Sequence, residues 1–224
     1  MEQARVNPIA LTEHALSAAE QMALDERLAN HAEPNVRLFT WNPPAISLGF
    51  KQATPQWLDP ARWQAAGLEL VERPTGGGIA FHGSDVSISI VVPRPSCPSI
   101  CSLMRTVCES AVRLCGTYGL KAMSVLSVPQ AERVEYCLTQ PSPYAVFFAE
   151  RKVAGFALRR FPRSWLVQGS LLVRLLPAML AGALPQDVRD QLAGRAVALS
   201  DAAGRWVDEV EVAQRWSQEF SDAM

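Results

Sequence analysis

Three consecutive glycines, Gly76-Gly77-Gly78, stand between two apolar runs, Leu68 to Val71 and Ile79 to Phe81. Glycine adopts positive φ without steric cost and has no side chain to hold another group away from the backbone. The segment therefore predicts strand, tight glycine turn, strand, with Arg73 and His82 bracketing the turn. Successive N–H groups in such a turn can cradle a carboxylate, a phosphate or an oxyanion. A hairpin with no chemical role uses the same residues. Two phosphate motifs are excluded. A P-loop needs Gly-Lys-Ser/Thr opening a helix, whereas here the glycines lead into Ile79-Ala80-Phe81. The G-x-G-x-x-G spacing of dinucleotide folds is absent as well.

Composition bounds the chemistry. Of 224 residues, 49% are hydrophobic and 19% charged, so a sizeable core forms in one large domain or one domain with a small appendage. A net charge of −1 argues against bulk nucleic-acid binding, which wants a strongly basic face. No apolar run reaches the roughly 18 residues of a membrane span, and the N-terminus lacks the pattern of a signal peptide. Five cysteines without that signal suggest free thiols in a reducing cytoplasm.

Along the chain, residues 1–13 read as a poorly ordered lead. Ser17 and Glu20 form a capping box for a helix to about Asn30, with Ala18, Met22, Leu24 and Leu28 facing the core and Asp25 and Glu26 on a solvated face. Val36 to Trp41 and Ala45 to Phe50, separated by Asn42-Pro43-Pro44, predict a hairpin. A short helix is expected over 54–66. Val86 to Val92 alternates most clearly as a strand. Pro98-Ser99 opens a helix to about Tyr118, along which Cys101, Cys108 and Cys115 recur every seven residues. Zinc binding is one reading of that run. Packing of small apolar thiols is the better one, because no second ligand pair follows Cys97 and Cys101. Strands are expected at 144–149, 153–160 and 165–173 around a polar turn Glu150-Arg151-Lys152, then helices at 177–182, 185–193 and Val210 to Met224. Hairpin-like connections and segregated helices give an α+β class rather than a doubly wound fold.

Four segments stand in order: Arg37 to Gln52 with Ser47 and Gly49; Arg73 to His82; Arg151-Lys152-Val-Ala-Gly155 to Arg160; and Gln168-Gly169-Ser170. Together, over about residues 15–175, they resemble the lipoate protein ligase and octanoyltransferase family of the biotin/lipoate protein ligase superfamily. The resemblance implies that family's catalytic-domain fold, mixed β-sheets flanked by helices. It implies one catalytic domain over 1–224, with a core at 15–175, C-terminal helices at 176–224 and no separate ligase accessory domain. It also implies a reaction, the attachment of an octanoyl or lipoyl group to a lysine of lipoyl domains. Such domains occur in the glycine cleavage H protein and the E2 subunits of 2-oxoacid dehydrogenases. Neither nucleic acid nor membrane is an expected partner.

The resemblance assigns roles by position. Lys152, with Gly155 three residues on, would supply a cation near the developing oxyanion or take part in proton transfer; as a bare residue it reads as a solvated turn lysine. Gly76, Gly77 and Gly78 would let backbone approach the acyl carbonyl. Arg73 would fix that loop or contact an anion. His82 is either held by local hydrogen bonds or catalytic. Ser47 and Gly49 would line the acyl tunnel. Arg159 and Arg160, with Arg163, match a basic position that could steer an acidic partner.

Cys137 separates the branches. Cys137, Pro141, Ser142 and Tyr144 match the loop that carries an acyl-thioester cysteine in one transferase branch, fifteen residues before Lys152. A thiolate is a strong nucleophile and a good leaving group, and a nearby lysine favours it. The expected route is therefore a Cys137 thioester, with acyl carrier protein or another lipoyl domain as donor and no cofactor. The alternatives are an ATP- and magnesium-dependent ligase acting through lipoyl-adenylate, with Cys137 structural, and a non-catalytic binder of lipoyl domains or lipoate. Neither route assigns a resident metal. Glu72 stands where relatives often have a second arginine, Gly78 resembles the ligases where cysteine transferases more often have arginine, and Phe156, in place of the usual small serine, is expected to narrow the acyl pocket or shift the lysine loop.

Overall fold

The computed structural model describes residues 10–11, 16–97, 99–127, 135–140 and 142–222. Pro98, Pro141, Met224 and most of the expected N-terminal lead lie outside the described residues. In chain order the elements are β1 (Ala10–Leu11), α1 (Ala18–His31), β2 (Asn35–Phe39), β3 (Ala45–Leu48), α2 (Pro60–Ala65), β4 (Glu69–Glu72), β5 (Ala80–His82), β6 (Asp85–Pro93), α3 (Ile100–Thr117), β7 (Met123–Val125), β8 (Ala145–Phe148), β9 (Arg151–Arg160), β10 (Ser164–Leu172), α4 (Ala178–Ala183), α5 (Gln186–Arg195), α6 (Leu199–Ala203) and α7 (Glu209–Ser221). A seven-stranded mixed sheet runs β1-β2-β6-β10-β9-β8-β7, and a three-stranded sheet runs β4-β3-β5. The α+β reading holds.

Local chemistry explains most boundaries. The capping box is formed: Ser17 N–H donates to Glu20 Oε2 at 2.8 Å, and Glu20 N–H returns to Ser17 Oγ at 3.3 Å. The helix expected over 54–66 shrinks to α2, because Pro60 sits in its first turn and Asp59 caps it by accepting from the N–H groups of Ala61 and Arg62. The expected turn Glu150-Arg151-Lys152 is one step earlier. Ala149 and Glu150 both hold positive φ, 47° and 64°, which matches the twist of a two-residue hairpin, and Arg151 and Lys152 already belong to β9.

Two expected hairpins are not formed. β2 pairs with β6 in the large sheet and β3 lies in the small one, so Asn42-Pro43-Pro44 carries the chain between sheets. Periodicity marks a strand but not its partner, and all four residues of β3 are buried because neighbours flank it on both sides. Likewise β4 and β5 do not pair with each other: β3 lies between them, parallel to β4 and antiparallel to β5. The glycine segment is therefore a bridge over one strand rather than a tight turn, and it must cover roughly two strand spacings, about 10 Å.

The two faces of the large sheet differ in kind. Val86, Ile88 and Ile90 of β6 turn toward α3 and α7, where Met104, Val107, Cys108, Leu114, Cys115 and Trp216 complete an apolar core. Burial pushes the Cys108 and Cys115 thiols up to about 12, as expected of packing residues, while Cys101 is exposed. On the other face, Ser87 and Ser89 of β6, Arg37 of β2 and Gln168 of β10 are also buried. Helix α1 and the small sheet lie over them. A further apolar cluster joins Ile46, Ile79 and Phe81 of the small-sheet region to Trp63, Leu180 and Val188.

Candidate active site

The cavity-side face of the large sheet carries a strip of small residues: Gly155 on β9, Ser170 on β10 and Ser87 on β6, brought level by register, with Ala157 two residues along β9. Across it stand Ser47 of β3 and His82 of β5. Between the layers lies a cavity of about 300 Å³, whose wall also includes Met22, Phe39, Trp41, Arg73, Cys137 and Lys152. Most of its lining is apolar side chain, which suits a chain of methylenes with a polar head at one end.

The polar end is built around Arg73, 7% exposed. Its Nη1 donates to Ser47 O at 3.0 Å and Ser47 Oγ at 3.1 Å. Its Nη2 donates to Gly76 O at 2.9 Å, Gly78 O at 2.6 Å and Cys137 Sγ at 3.3 Å. One guanidinium thus holds the glycine bridge and touches the thiol. The N–H groups of Gly76, Gly77 and Gly78 donate to no backbone carbonyl among the described residues. Gly77 has φ of 99°, and a Cβ there would sit 2.9 Å from Arg73 Nη2 and 3.4 Å from Cys137 Sγ. A Cβ on Gly49 would meet Gly77 O at 2.0 Å, so Gly49 is glycine because the bridge crosses it.

Cys137 reaches this point by short strand-like pairing. Ile79 N–H donates to Glu135 O at 2.6 Å and Cys137 N–H to Ile79 O at 2.8 Å. The thiol donates to Gly78 O at 3.3 Å. Lys152, 1% exposed, enters from β9 beneath the Cys137 loop. Its Nζ donates to Cys137 O at 2.6 Å, Ser142 Oγ at 2.7 Å and Gln140 O at 3.2 Å, one acceptor for each ammonium hydrogen. Burial lowers it to about 8, partly opposed by Cys137. Lys152 is therefore a buried clamp on the loop rather than a solvated turn lysine. A Cβ on Gly155 would lie 3.1 Å from Lys152 Cε, which accounts for the glycine three residues after the lysine.

His82 lies flat on Trp41, with ring centroids 4.0 Å apart. Its Nε2 is 2.8 Å from Ser47 Oγ and its Nδ1 2.9 Å from Asp85 Oδ2. Asp85 also accepts from Gly83 N–H at 2.9 Å, from Ser87 Oγ at 3.2 Å and from Ser170 Oγ. Burial works against its charge, but His82, Ser170 and the Gly83 N–H outweigh that and hold the carboxyl below the usual range.

A second buried carboxylate anchors the start of the glycine bridge. Asp25 Oδ1 accepts from Arg37 Nη2 at 2.7 Å and Ser89 Oγ at 2.6 Å, and Oδ2 from Gln168 Nε2 at 2.6 Å. Gln168 Oε1 in turn accepts from Thr75 Oγ1 at 2.7 Å. The solvated reading of Asp25 is thus corrected: it is fully buried, because α1 lies on the polar face of the sheet. The sequence signal was Arg37, a charge between Val36 and Leu38 at a position that faces inward.

Arg159 stacks over Phe50 at 3.6 Å and donates to Pro74 O at 2.9 Å, latching the glycine bridge from outside. Arg160 and Arg163 are exposed, and Arg163 donates to Asn30 O. The Phe156 ring packs edge-on against Trp216 of α7 and over Gly169, where a Cβ would come within 2.0 Å of it. Its ring belongs to the core on the helix side of the sheet and also borders the cavity. The sequence reading thus gathered Ser47, Arg73, Gly76, Gly77, His82, Cys137, Lys152 and Gly155 around one cavity, with Gly49 and Gly78 packed behind that lining and Arg159 outside it. It met Asp85, Gln140, Thr75, Ser142, Gln168 and Ser170 only as motif letters and gave them no part in the site.

A family described as the lipoyl protein ligase A/B catalytic domain matches residues 17–221. Octanoyltransferase LipM of Kyrpidia tusciae is 32% identical over 93% of this chain and 84% of that protein. Octanoyltransferase LipM of Exiguobacterium sp. is 29% identical over 95% and 85%. Among solved structures, a lipoate-protein ligase A bound with ATP superposes with a TM-score of 0.75 at 22% identity, covering 96% of this chain and 84% of that one. A lipoate protein ligase described as putative, from T. acidophilum with bound lipoic acid, gives 0.70 at 21% identity, covering 96% and 84%.

Proposed function

Because the chain belongs to the lipoyl protein ligase A/B catalytic domain family, we propose that it is an octanoyltransferase of protein lipoylation that carries the acyl group on Cys137. One observation carries the reading: the Cys137 thiol sits between Arg73 Nη2 and Gly78 O at the polar end of an acyl-sized cavity, in a loop clamped by the Lys152 amine. The curated relatives are octanoyltransferases, and their likeness spans nearly the whole chain.

The chemistry proceeds in two displacements. The Cys137 thiolate attacks the carbonyl of an octanoyl thioester, delivered by a carrier such as acyl carrier protein. The carbon–sulfur bond to the carrier breaks, and the carrier thiol leaves. The octanoyl chain occupies the apolar cavity. The carbonyl oxygen, negative in the tetrahedral intermediate, faces Arg73 and the N–H groups of the glycine bridge, a preorganised positive field. In the second displacement the ε-amine of a lipoyl-domain lysine attacks the Cys137 thioester, Cys137 leaves as thiolate, and the amine loses a proton. Acceptors are lipoyl domains of the glycine cleavage H protein and of 2-oxoacid dehydrogenase E2 subunits.

Lys152 has two parts in this. Its three hydrogen bonds fix the backbone that aims the thiol. Its proton affinity, lowered to about 8, lets it exchange a proton near neutral pH. Neither displacement calls for ATP or a metal.

The test is incubation with octanoyl-acyl carrier protein, without ATP, followed by intact mass. The expected result is a gain of one octanoyl group that hydroxylamine removes and that Cys137→Ser lacks. No adduct, with pyrophosphate released from lipoate and ATP instead, would make the chain a ligase and Cys137 a packing residue.

A further inference from the structure

A chain of four hydrogen bonds runs from a buried carboxylate to the thiol. Asp85 Oδ2 to His82 Nδ1 is 2.9 Å, His82 Nε2 to Ser47 Oγ 2.8 Å, Ser47 Oγ to Arg73 Nη1 3.1 Å, and Arg73 Nη2 to Cys137 Sγ 3.3 Å. We infer that Asp85, His82 and Ser47 are positioning residues for Cys137: together they orient the Arg73 guanidinium so that it faces the sulfur and favours the reactive thiolate. The inference rests on the proposed role of Cys137 as the acyl carrier.

For a neutral imidazole, donor and acceptor roles set the direction of each link. A guanidinium only donates, so Ser47 Oγ accepts from Arg73. The Ser47 hydroxyl hydrogen then goes to His82 Nε2, since among the described residues Ser47 Oγ has no other partner. His82 therefore carries its proton on Nδ1 and donates it to Asp85. Trp41, stacked on the imidazole, and Ser87, which accepts from Trp41 Nε1 at 2.9 Å, keep the ring in this plane. Gly83 and Ser170 keep the carboxylate in place.

A Ser–His–Asp arrangement invites a second reading, with Ser47 as a hydrolytic nucleophile. Ser47 is fully buried, and one of its lone pairs is already taken by Arg73. A nucleophile needs that lone pair free and the oxygen open to the carbonyl. The same contact is what a support for Arg73 requires.

Replacing Asp85 by Asn reverses the chain. An amide hydrogen facing Nδ1 moves the imidazole proton to Nε2, which then competes with Arg73 for Ser47 Oγ and loosens the guanidinium from the sulfur. The experiment follows iodoacetamide alkylation of each cysteine by mass spectrometry across pH, with exposed Cys101 as the internal reference. In Asp85→Asn and Ser47→Ala, Cys137 alkylation at pH 7 is expected to slow about tenfold, with the Cys101 rate unchanged. Ser47→Thr, which keeps the hydroxyl, restores the rate. Unchanged Cys137 rates in Asp85→Asn and Ser47→Ala would overturn the inference. So would a Cys137→Ala protein that hydrolyses p-nitrophenyl octanoate in a Ser47-dependent way. A variant in which buried Cys108 and Cys115 also react has lost its fold, and the contrast between Ser47→Ala and Ser47→Thr then decides. Alkylation needs no acyl donor, so failure of the thioester reading leaves this result standing by itself.

Discussion

The two faces of the seven-stranded sheet are both buried, by opposite means. Toward α3 and α7 the sheet presents Val86, Ile88 and Ile90, and the burial is apolar contact alone. Toward α1 and the small sheet it presents Arg37, Ser87, Ser89 and Gln168, and burial is tolerated because each polar group meets a partner. The first face stabilises the fold, since removing apolar surface from water contributes about 25 cal/mol per Å². The second aims the chemistry. A hydrogen bond contributes only about 1 kcal/mol net, whereas a buried polar group left without a partner costs about 1–3 kcal/mol. Its networks therefore enforce one arrangement more than they add stability.

That difference is exposed by substitutions that keep shape. The largest expected effect is Asp25→Asn, which leaves the buried Arg37 without a counter-charge and should cost about 3–5 kcal/mol in urea unfolding. A cost under about 1 kcal/mol would mean that the polar face is as forgiving as the apolar one. Next comes Lys152→Ala. It removes the clamp on Cys137, Gln140 and Ser142 and should lower octanoyl transfer about a hundredfold or more, the scale of losing one preorganised donor, roughly 2.7 kcal/mol. Retained transfer in a folded Lys152→Ala protein would take the lysine out of the mechanism.

The same residue predicts a pH dependence. Burial lowers Lys152 from 10.5 to about 8, so between these values the unfolded chain binds a proton that the folded one does not. Stability conferred by this side chain therefore rises with pH through that window and is lost as pH falls through about 8. Measured against Lys152→Met, the difference in unfolding free energy should move in favour of wild type by about 1–3 kcal/mol from pH 7.5 to 10.5. A flat difference would mean that the amine titrates like a solvated lysine. The smallest effect is expected on the apolar face. Met104→Leu conserves volume and should cost less than about 1.5 kcal/mol, read by the shift in urea midpoint at constant slope.

The two faces also differ in how far the sequence discloses them. Hydrophobic period marks apolar burial, so α1, β6 and α3 were legible to within a few residues, as was the packing of Cys108 and Cys115. It is silent where polar groups are buried. Ser87 and Ser89 look like the solvent side of an alternating strand, and Asp25 looks like a helix-surface acid, because what buries them comes from distant parts of the chain. Strand partners were hidden for a related reason: β3 could be seen as a strand, but its place between β4 and β5 is set by the chain's crossing between sheets. Motif order still gathered Cys137, Lys152, Arg73 and the glycines, because their spacing reflects close backbone approach. Asp85 could be seen three residues after His82, but that its carboxylate turns back to the imidazole shows only in the fold.

The most direct test of the account is whether the Cys137 thioester is chemically competent. Protein pre-acylated by octanoyl-acyl carrier protein and freed of donor would be mixed with a lipoyl domain without ATP, and both masses followed in a single turnover. The account predicts that octanoyl leaves the enzyme at the rate at which it gains an amide on the domain's lysine. An adduct that persists while the domain stays unmodified, or a domain modified only when ATP and free acid are supplied, would contradict it.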